Sequence, residues 1–220
     1  MTPLSPLETG IQLRKPEGEN GIAIGRDMNR SNSQMYNDLF SLLHLKDNDI
    51  LLETGYGNGI HFPNYFATEK AITLYGMDYS EVMYQEAVKN NESAIKEGKI
   101  IVEYGDIKDS NYPSNQFDHI IALNTVYFWE PLETYLKVLH RILKPGGKLY
   151  IGYRPKRVLH NVDFVQHGFS LYDEAVLNEQ LLKSGFEIIQ EYQNDYTKMT
   201  VTGQPLNSTD LITISIKKEA

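Results

Sequence analysis

The segment Glu53-Thr54-Gly55-Tyr56-Gly57-Asn58-Gly59 sets three glycines at alternate positions directly after the apolar run Ile50-Leu51-Leu52. Without a Cβ, such positions reach positive φ and let a ligand touch the backbone; free N–H groups where the chain enters a helix favour a negatively charged group. A carboxylate fits there as well as a phosphate. Asp78 closes the next apolar run, Ile72 to Met77, where an acidic side chain can accept both hydroxyls of a ribose. Asp106 follows a third run in Tyr104-Gly105-Asp106-Ile107, where carboxylate and backbone can read an adenine edge. Taken singly, each has a plainer role: a bare turn, a helix-leading acid, a loop acid bonding its own backbone. Together they mark three successive strand ends facing one nucleoside-bearing ligand.

Other chemistries find less support. The chain has no cysteine, which removes disulfides, thiolate metal sites and cysteine nucleophiles. Its six histidines show no paired ligand spacing, so no metal is expected, and no serine elbow is present. His61, just past the glycine turn, and His167 are the candidate general bases, each with a structural role as the alternative. Tyr36, Tyr127, Trp129 and Tyr153, with Phe128, are candidates to line an apolar or aromatic substrate pocket, the alternative being core or lid packing. Arg154 can meet an acidic acceptor or stand solvated at the surface.

The elements that position these residues follow from periodicity. Residues 1–27 mix Gly10, Gly18, Gly21 and Gly25 with prolines and scattered charges, and read as an irregular arm or lid ahead of a domain spanning 28–220. A helix is expected from Ser31, paired with Gln34 as a capping box, to about Leu45. Strands are expected at Ile50–Glu53, Ile72–Met77, Ile100–Tyr104, Phe117–Leu123 and Leu149–Tyr153, and a final hairpin at Phe186–Tyr192 and Leu211–Lys217. Helices fall between them: one capped by Ser80 and running to about Glu97, one carrying Leu132, Leu136, Leu139 and Leu143 and stopped by Lys144-Pro145-Gly146-Gly147, and one from Ser170 to about Ser184. Alternating strands and helices imply an α/β fold, a Rossmann-like doubly wound sheet, mostly parallel and seven-stranded with an antiparallel last strand and helices on both faces.

Composition bounds the partners. A formal charge of −8 without a compensating Lys/Arg stripe argues against nucleic acid, although Arg26, Arg30, Arg154, Lys156 and Arg157 are distant enough in sequence to build a local patch. No uninterrupted apolar stretch has the length of a membrane span and the first residues do not read as a secretory signal, so a cytoplasmic location is expected.

The glycine segment resembles the cofactor motif of class I S-adenosylmethionine-dependent methyltransferases, an acidic residue followed by glycines at alternate positions. The likeness extends over roughly residues 30–190 through Gly76-Met77-Asp78-Tyr79-Ser80, Gly105-Asp106-Ile107, Phe117 to Ile121, and Leu139 to Gly147, in the family's order. The last of these is typical of the small-molecule branch, that of ubiquinone and menaquinone methyltransferases. The resemblance implies methyl transfer from S-adenosylmethionine, leaving S-adenosylhomocysteine, to a small-molecule acceptor. It implies that Glu53, Gly55, Tyr56, Gly57 and Gly59 surround the methionine moiety, Asp78 holds the ribose, Tyr79 flanks the adenine, Asp106 and Ile107 read its edge, and Asn124 and Thr125 close the methionine side. Thr54, Tyr56 and Asn58 depart from the family's usual smaller or aliphatic residues and narrow the pocket. Asn124-Thr125-Val126-Tyr127 lacks the prolines of amino-methyltransferases that act on adenine or glutamine. Two alternatives remain: a nicotinamide oxidoreductase, whose fingerprint wants glycine where Ile60 stands, and a non-catalytic protein that binds the same donor.

Overall fold

The computed structural model describes residues 4–199 and 205–218. In chain order the helices and strands are α1 (Pro6–Arg14), α2 (Gly18–Leu42), β1 (Ile50–Thr54), α3 (Phe62–Tyr65), β2 (Thr73–Asp78), α4 (Glu81–Asn90), α5 (Glu92–Lys96), β3 (Ile100–Tyr104), β4 (Phe117–Leu123), α6 (Leu132–Ile142), β5 (Leu143–Tyr153), α7 (Lys156–Leu159), α8 (Glu174–Lys183), β6 (Phe186–Met199) and β7 (Pro205–Lys217). Short 3-10 turns lie between several of them.

The strands form one seven-stranded sheet in the order β3-β2-β1-β4-β5-β7-β6. β1 through β5 are mutually parallel, β7 runs antiparallel to β5, and β6 pairs antiparallel with β7. Strand order therefore reverses between β1 and β4, and in an open parallel sheet the crevice beyond the carboxyl ends at such a reversal is where ligands bind.

Alternation along each strand builds a core on both faces, which is why the central strands read as continuous apolar runs. Leu52, Ile120, Ala122 and Leu149 pack with Leu136 and Leu139 of α6 and with Leu177 and Leu181 of α8. Leu51, Leu74, Ile121 and Tyr150 pack on the other face with Met35, Tyr36 and Leu39 of α2. Every one of these side chains is buried.

The main departures from expectation are at the N-terminus. The segment read as an irregular arm is helical over Pro6–Arg14 and from Gly18 onward, and the boundary drawn at 27/28 falls inside α2. Ser31 does not start a helix; its hydroxyl donates to the Met28 carbonyl inside one. Gly18, at φ +59°, does mark the break between α1 and α2, but Gly10, Gly21 and Gly25 serve close packing instead. A Cβ on Gly10 would sit 2.9 Å from the carbonyl oxygens of Phe164 and His167, and one on Gly25 would sit 3.0 Å from the Met83 side chain. Elsewhere Ser80 caps α4 as expected, its oxygen accepting from the Met83 N–H, but the helix breaks at Asn91, whose side-chain amide donates to the carbonyls of Gly59 and Ala87. α6 ends at Ile142 as expected, and Lys144 to Gly147, counted within β5, loop out of its pairing, which passes from Phe117–Leu143 to His119–Lys148 with Gly146 at φ +73°. α8 begins after Asp173, not Ser170, whose N–H is held by the Tyr127 carbonyl.

Candidate functional site

The carboxyl ends of β1, β2, β3 and β4 open onto one cavity of about 350 Å³. Gly55 and Gly57 reach it from β1, Asp78 and Tyr79 from β2, Gly105, Asp106 and Ile107 from β3, and Asn124 and Thr125 from β4. The opposite wall comes from the N-terminal helices, with Arg14 and Pro16 before α2 and Met28, Asn29, Asn32 and Tyr36 along one face of it.

The glycine turn is shaped by conformation and by clearance. Gly55 and Gly57 have φ of +71° and +61°. A Cβ on Gly55 would lie 2.0 Å from Cγ2 of Thr125, whereas one on Gly57 would meet nothing within 4 Å and would project into open space. Only one short helical turn, α3, follows, so the long helix start expected to favour an anion is absent at this point. Gly59 does not line the cavity; a Cβ there would press within 3.0 Å of Asn91 and Ala87, so its place is against α4.

Asp78 is 7% exposed and accepts from the backbone N–H groups of Gly57 and Ser80, each at 2.9 Å. Burial pushes its carboxyl up to about 6, partly countered by those two bonds. Each carboxylate oxygen has a second acceptor position, so the group retains capacity for two hydroxyls. The Ser80 hydroxyl donates to the Pro16 carbonyl at 2.6 Å, tying the N-terminal segment to the same loop. Tyr79 beside it is half-buried, with the Arg14 side chain hydrogen-bonded to it and Lys15 Nζ 5.8 Å from its ring centre.

Asp106 caps the turn after β3 and accepts from the Lys108 ammonium and the Tyr135 hydroxyl, both at 2.9 Å. Tyr135 in turn stacks on Trp129 at 5.4 Å between ring centres. Trp129 therefore belongs to the Asp106 end of the cavity. Asn124, a non-glycine residue at φ +55°, has its side chain held by Tyr127 and against Met35; strain of this kind is retained where surrounding contacts over-determine the backbone.

Glu53 lies beneath the turn, 1% exposed and outside the cavity lining. It accepts from the hydroxyls of Tyr36 on α2 and Tyr65 on α3. Burial raises its carboxyl to about 7, against the lowering effect of those two bonds. Tyr36 does line the cavity, and its ring stacks on His61 at 3.8 Å.

Several expected pocket residues lie elsewhere. Tyr153 is fully buried in the core. Tyr127 is buried behind the cavity, its hydroxyl exchanging hydrogen bonds with the backbone of Arg154. Arg154 is neither solvated nor available to an acidic acceptor, because it pairs at 3.0 Å with the buried Asp210. His167 lines a separate shallow surface groove with Leu7, Ile11 and Arg14. Among the described residues no group of three or more His, Asp or Glu is placed to hold a metal ion, and no helix is long and apolar enough to cross a membrane.

Residues 52–151 match a protein-family model described as "Methyltransferase domain", and they contain β1 to β5 with all four cavity-lining strand ends. The likeness is to methyltransferase domains. The chain is 31% identical over 108 residues to the uncharacterized methyltransferase YdaC of Bacillus subtilis, covering 49% of this chain and 58% of that protein. It is 26% identical over 125 residues to the 27-O-demethylrifamycin SV methyltransferase of Amycolatopsis mediterranei, covering 57% and 46%. The chain thus spans about half the length of these curated relatives. In fold, the chain superposes with a TM-score of 0.77 on a chain from the complex of the Haloferax volcanii Trm112 methyltransferase activator with a methyltransferase, at 16% identity and covering 96% of this chain and 98% of that one.

The cavity's opposite wall was not found by sequence reasoning. Arg14, Met28, Asn29 and Asn32 line it, yet they belong to the stretch read as irregular or to its margin. A signal existed: Ser5-Pro6-Leu7-Glu8 is a capping box with proline at the first helical position, and the structure shows both reciprocal bonds.

Proposed function

We propose that the protein binds S-adenosylmethionine in this cavity and transfers its methyl group to a small-molecule acceptor. The observation that carries the reading is the convergence of Gly57, Asp78, Asp106 and Asn124, from four adjacent strand ends, on a single cavity of about 350 Å³, within the usual range for small-ligand sites. The residues present suit such a donor. The Gly57 position leaves room for a ligand against the backbone, Asp78 has spare acceptor capacity for a ribose, and Asp106 with Ile107 offers an edge for adenine. The Oγ1 atom of Thr125 is buried in the wall without a hydrogen-bond partner among the described residues, on the side assigned to the amino-acid tail.

When bound, the donor supplies a sulfonium-activated methyl, so the protein's task is alignment of an in-line displacement and exclusion of water. Tyr79, Arg14 and Pro16 cover the nucleoside end, and α2 covers the rest, so we read the N-terminal helices as a lid over the methyltransferase domain. The formal charge of −8 favours a small molecule over nucleic acid as acceptor. A cytoplasmic setting agrees with a soluble cofactor and acceptor.

Titration calorimetry with S-adenosylmethionine, S-adenosylhomocysteine and NAD tests the reading. Saturable binding of the first two and none of NAD is expected; NAD binding in their place would overturn it. Labelled donor offered with a metabolite extract then separates an enzyme, which labels a product, from a protein that only holds the donor.

A further inference from the structure

Besides Thr125 Oγ1, the cavity-lining residues include one more buried polar atom without a hydrogen-bond partner among the described residues, Nε2 of His61. A buried polar atom left unpaired is destabilising, and in a ligand cavity that penalty is relieved by what binds there. His61 follows the glycine turn, and its ring is fixed by stacking on Tyr36 at 3.8 Å with 22° between planes. Tyr36 is itself fixed, since its hydroxyl donates to Glu53, which also holds Tyr65. Burial depresses the His61 pKa below 6.5, so the imidazole is neutral near pH 7 and has a lone pair to offer.

The surrounding charges limit what this end of the cavity accepts. Of the cations that line it, Arg14 lies at the Tyr79 end, where it also borders the surface groove with Leu7 and Ile11, and Lys108 is paired with Asp106. On the α2 face that carries Tyr36, the other lining side chains are Met28, Asn29 and Asn32, and β4 contributes Asn124. None of these is ionisable. A phosphorylated or carboxylated acceptor would find no free cation beside His61, whereas an alcohol or phenol would find amides, a phenol and a neutral imidazole.

Resting on the donor assignment above, we propose that the acceptor is an uncharged hydroxyl compound and that His61 takes its proton. The hydroxyl oxygen bonds to the methyl carbon as the carbon–sulfur bond of the sulfonium donor breaks. The released electron pair stays on sulfur as a thioether, the hydroxyl proton passes to the imidazole, and the positive charge moves from sulfur to imidazolium.

The test offers tritium-methyl S-adenosylmethionine and the intact protein to a whole-cell metabolite extract split by ion exchange into neutral, anionic and cationic fractions. The expected result is label in the neutral fraction, resistant to alkaline hydrolysis as an ether is. Label confined to a charged fraction, or none while S-adenosylhomocysteine binds, overturns the proposal. On the labelled neutral fraction, His61→Ala and His61→Gln are expected to lose turnover about 10²- to 10⁴-fold, with S-adenosylhomocysteine affinity within about twofold of wild type as the check on folding. Turnover within about tenfold of wild type in either folded variant would remove His61 from the chemistry. Wild-type protein that fails to bind S-adenosylhomocysteine would instead overturn the donor assignment, so the two failures are distinguishable.

Discussion

Glu53→Gln tests the electrostatics beneath the glycine turn. The carboxyl is 1% exposed, and burial raises it from 4.5 to about 7 despite two tyrosine hydroxyls donating to it. Between those two pH values the folded protein holds a proton that the unfolded chain has released, so stability falls as pH rises through the window and the loss is complete above about 7. At about 1.4 kcal/mol per pH unit, the separation corresponds to roughly 3 kcal/mol. Glutamine keeps an acceptor for Tyr36 and does not ionise. The stability of wild type relative to Glu53→Gln is therefore expected to decline by roughly 3 kcal/mol from pH 4.5 to 7.5, read from urea unfolding at intervals across that range. Asp78, raised to about 6 by burial, adds a slope of the same sign to both proteins, and because its charge also raises Glu53 the difference includes the coupling between the two carboxyls. Parallel curves for the two proteins would show that Glu53 is not held in a medium that disfavours its charge.

Asp78→Ala is expected to weaken S-adenosylhomocysteine binding by about 1–3 kcal/mol, roughly 5- to 150-fold, with an unchanged circular dichroism spectrum; equal calorimetric affinity would refute the ribose assignment. Gly55→Ala drives a methyl to 2.0 Å from Thr125, while Gly57→Ala meets open space and bears mainly the strain of its φ, about 1–2 kcal/mol. The first should lower the urea midpoint more than the second, and the reverse order would contradict the packing described at the turn. Tyr36→Phe removes one of the two hydroxyls that favour the Glu53 carboxylate, so carboxyl NMR should find that group titrating higher than in wild type; a lower value would contradict the pairing.

The sheet was legible because its central strands are covered on both faces and so run apolar without interruption, as in Ile50-Leu51-Leu52 and Ile120-Ile121-Ala122-Leu123. Glycines at positive φ and acids at successive strand ends were legible for the same local reason. The N-terminal helices were not, because their glycines answer to tertiary contacts: Gly10 to the backbone of Phe164 and His167, Gly25 to Met83. Nothing in a sequence window distinguishes a glycine that breaks a helix from one that lets a distant chain approach. Tyr127 and Tyr153 failed as pocket residues through the period-two geometry of strands and the tight turn after β4, which turn neighbouring aromatics to opposite sides. Glu53 sits one residue before the cavity wall for the same reason, since Thr54 is the residue that lines it.

α2 is secured at its C-terminal half, where Asp38 accepts from Tyr192 and Asn194 of the β6 strand and Tyr36 reaches Glu53. Its remaining face, from Met28 to Tyr36, roofs the cavity, yet it precedes the stretch 52–151 that matches the methyltransferase-domain family model. The roof of the cavity and the strand ends that form its floor are thereby encoded in separate stretches of the chain. A substitution on that helix can therefore reshape the cavity while the strand ends beneath it stay unchanged.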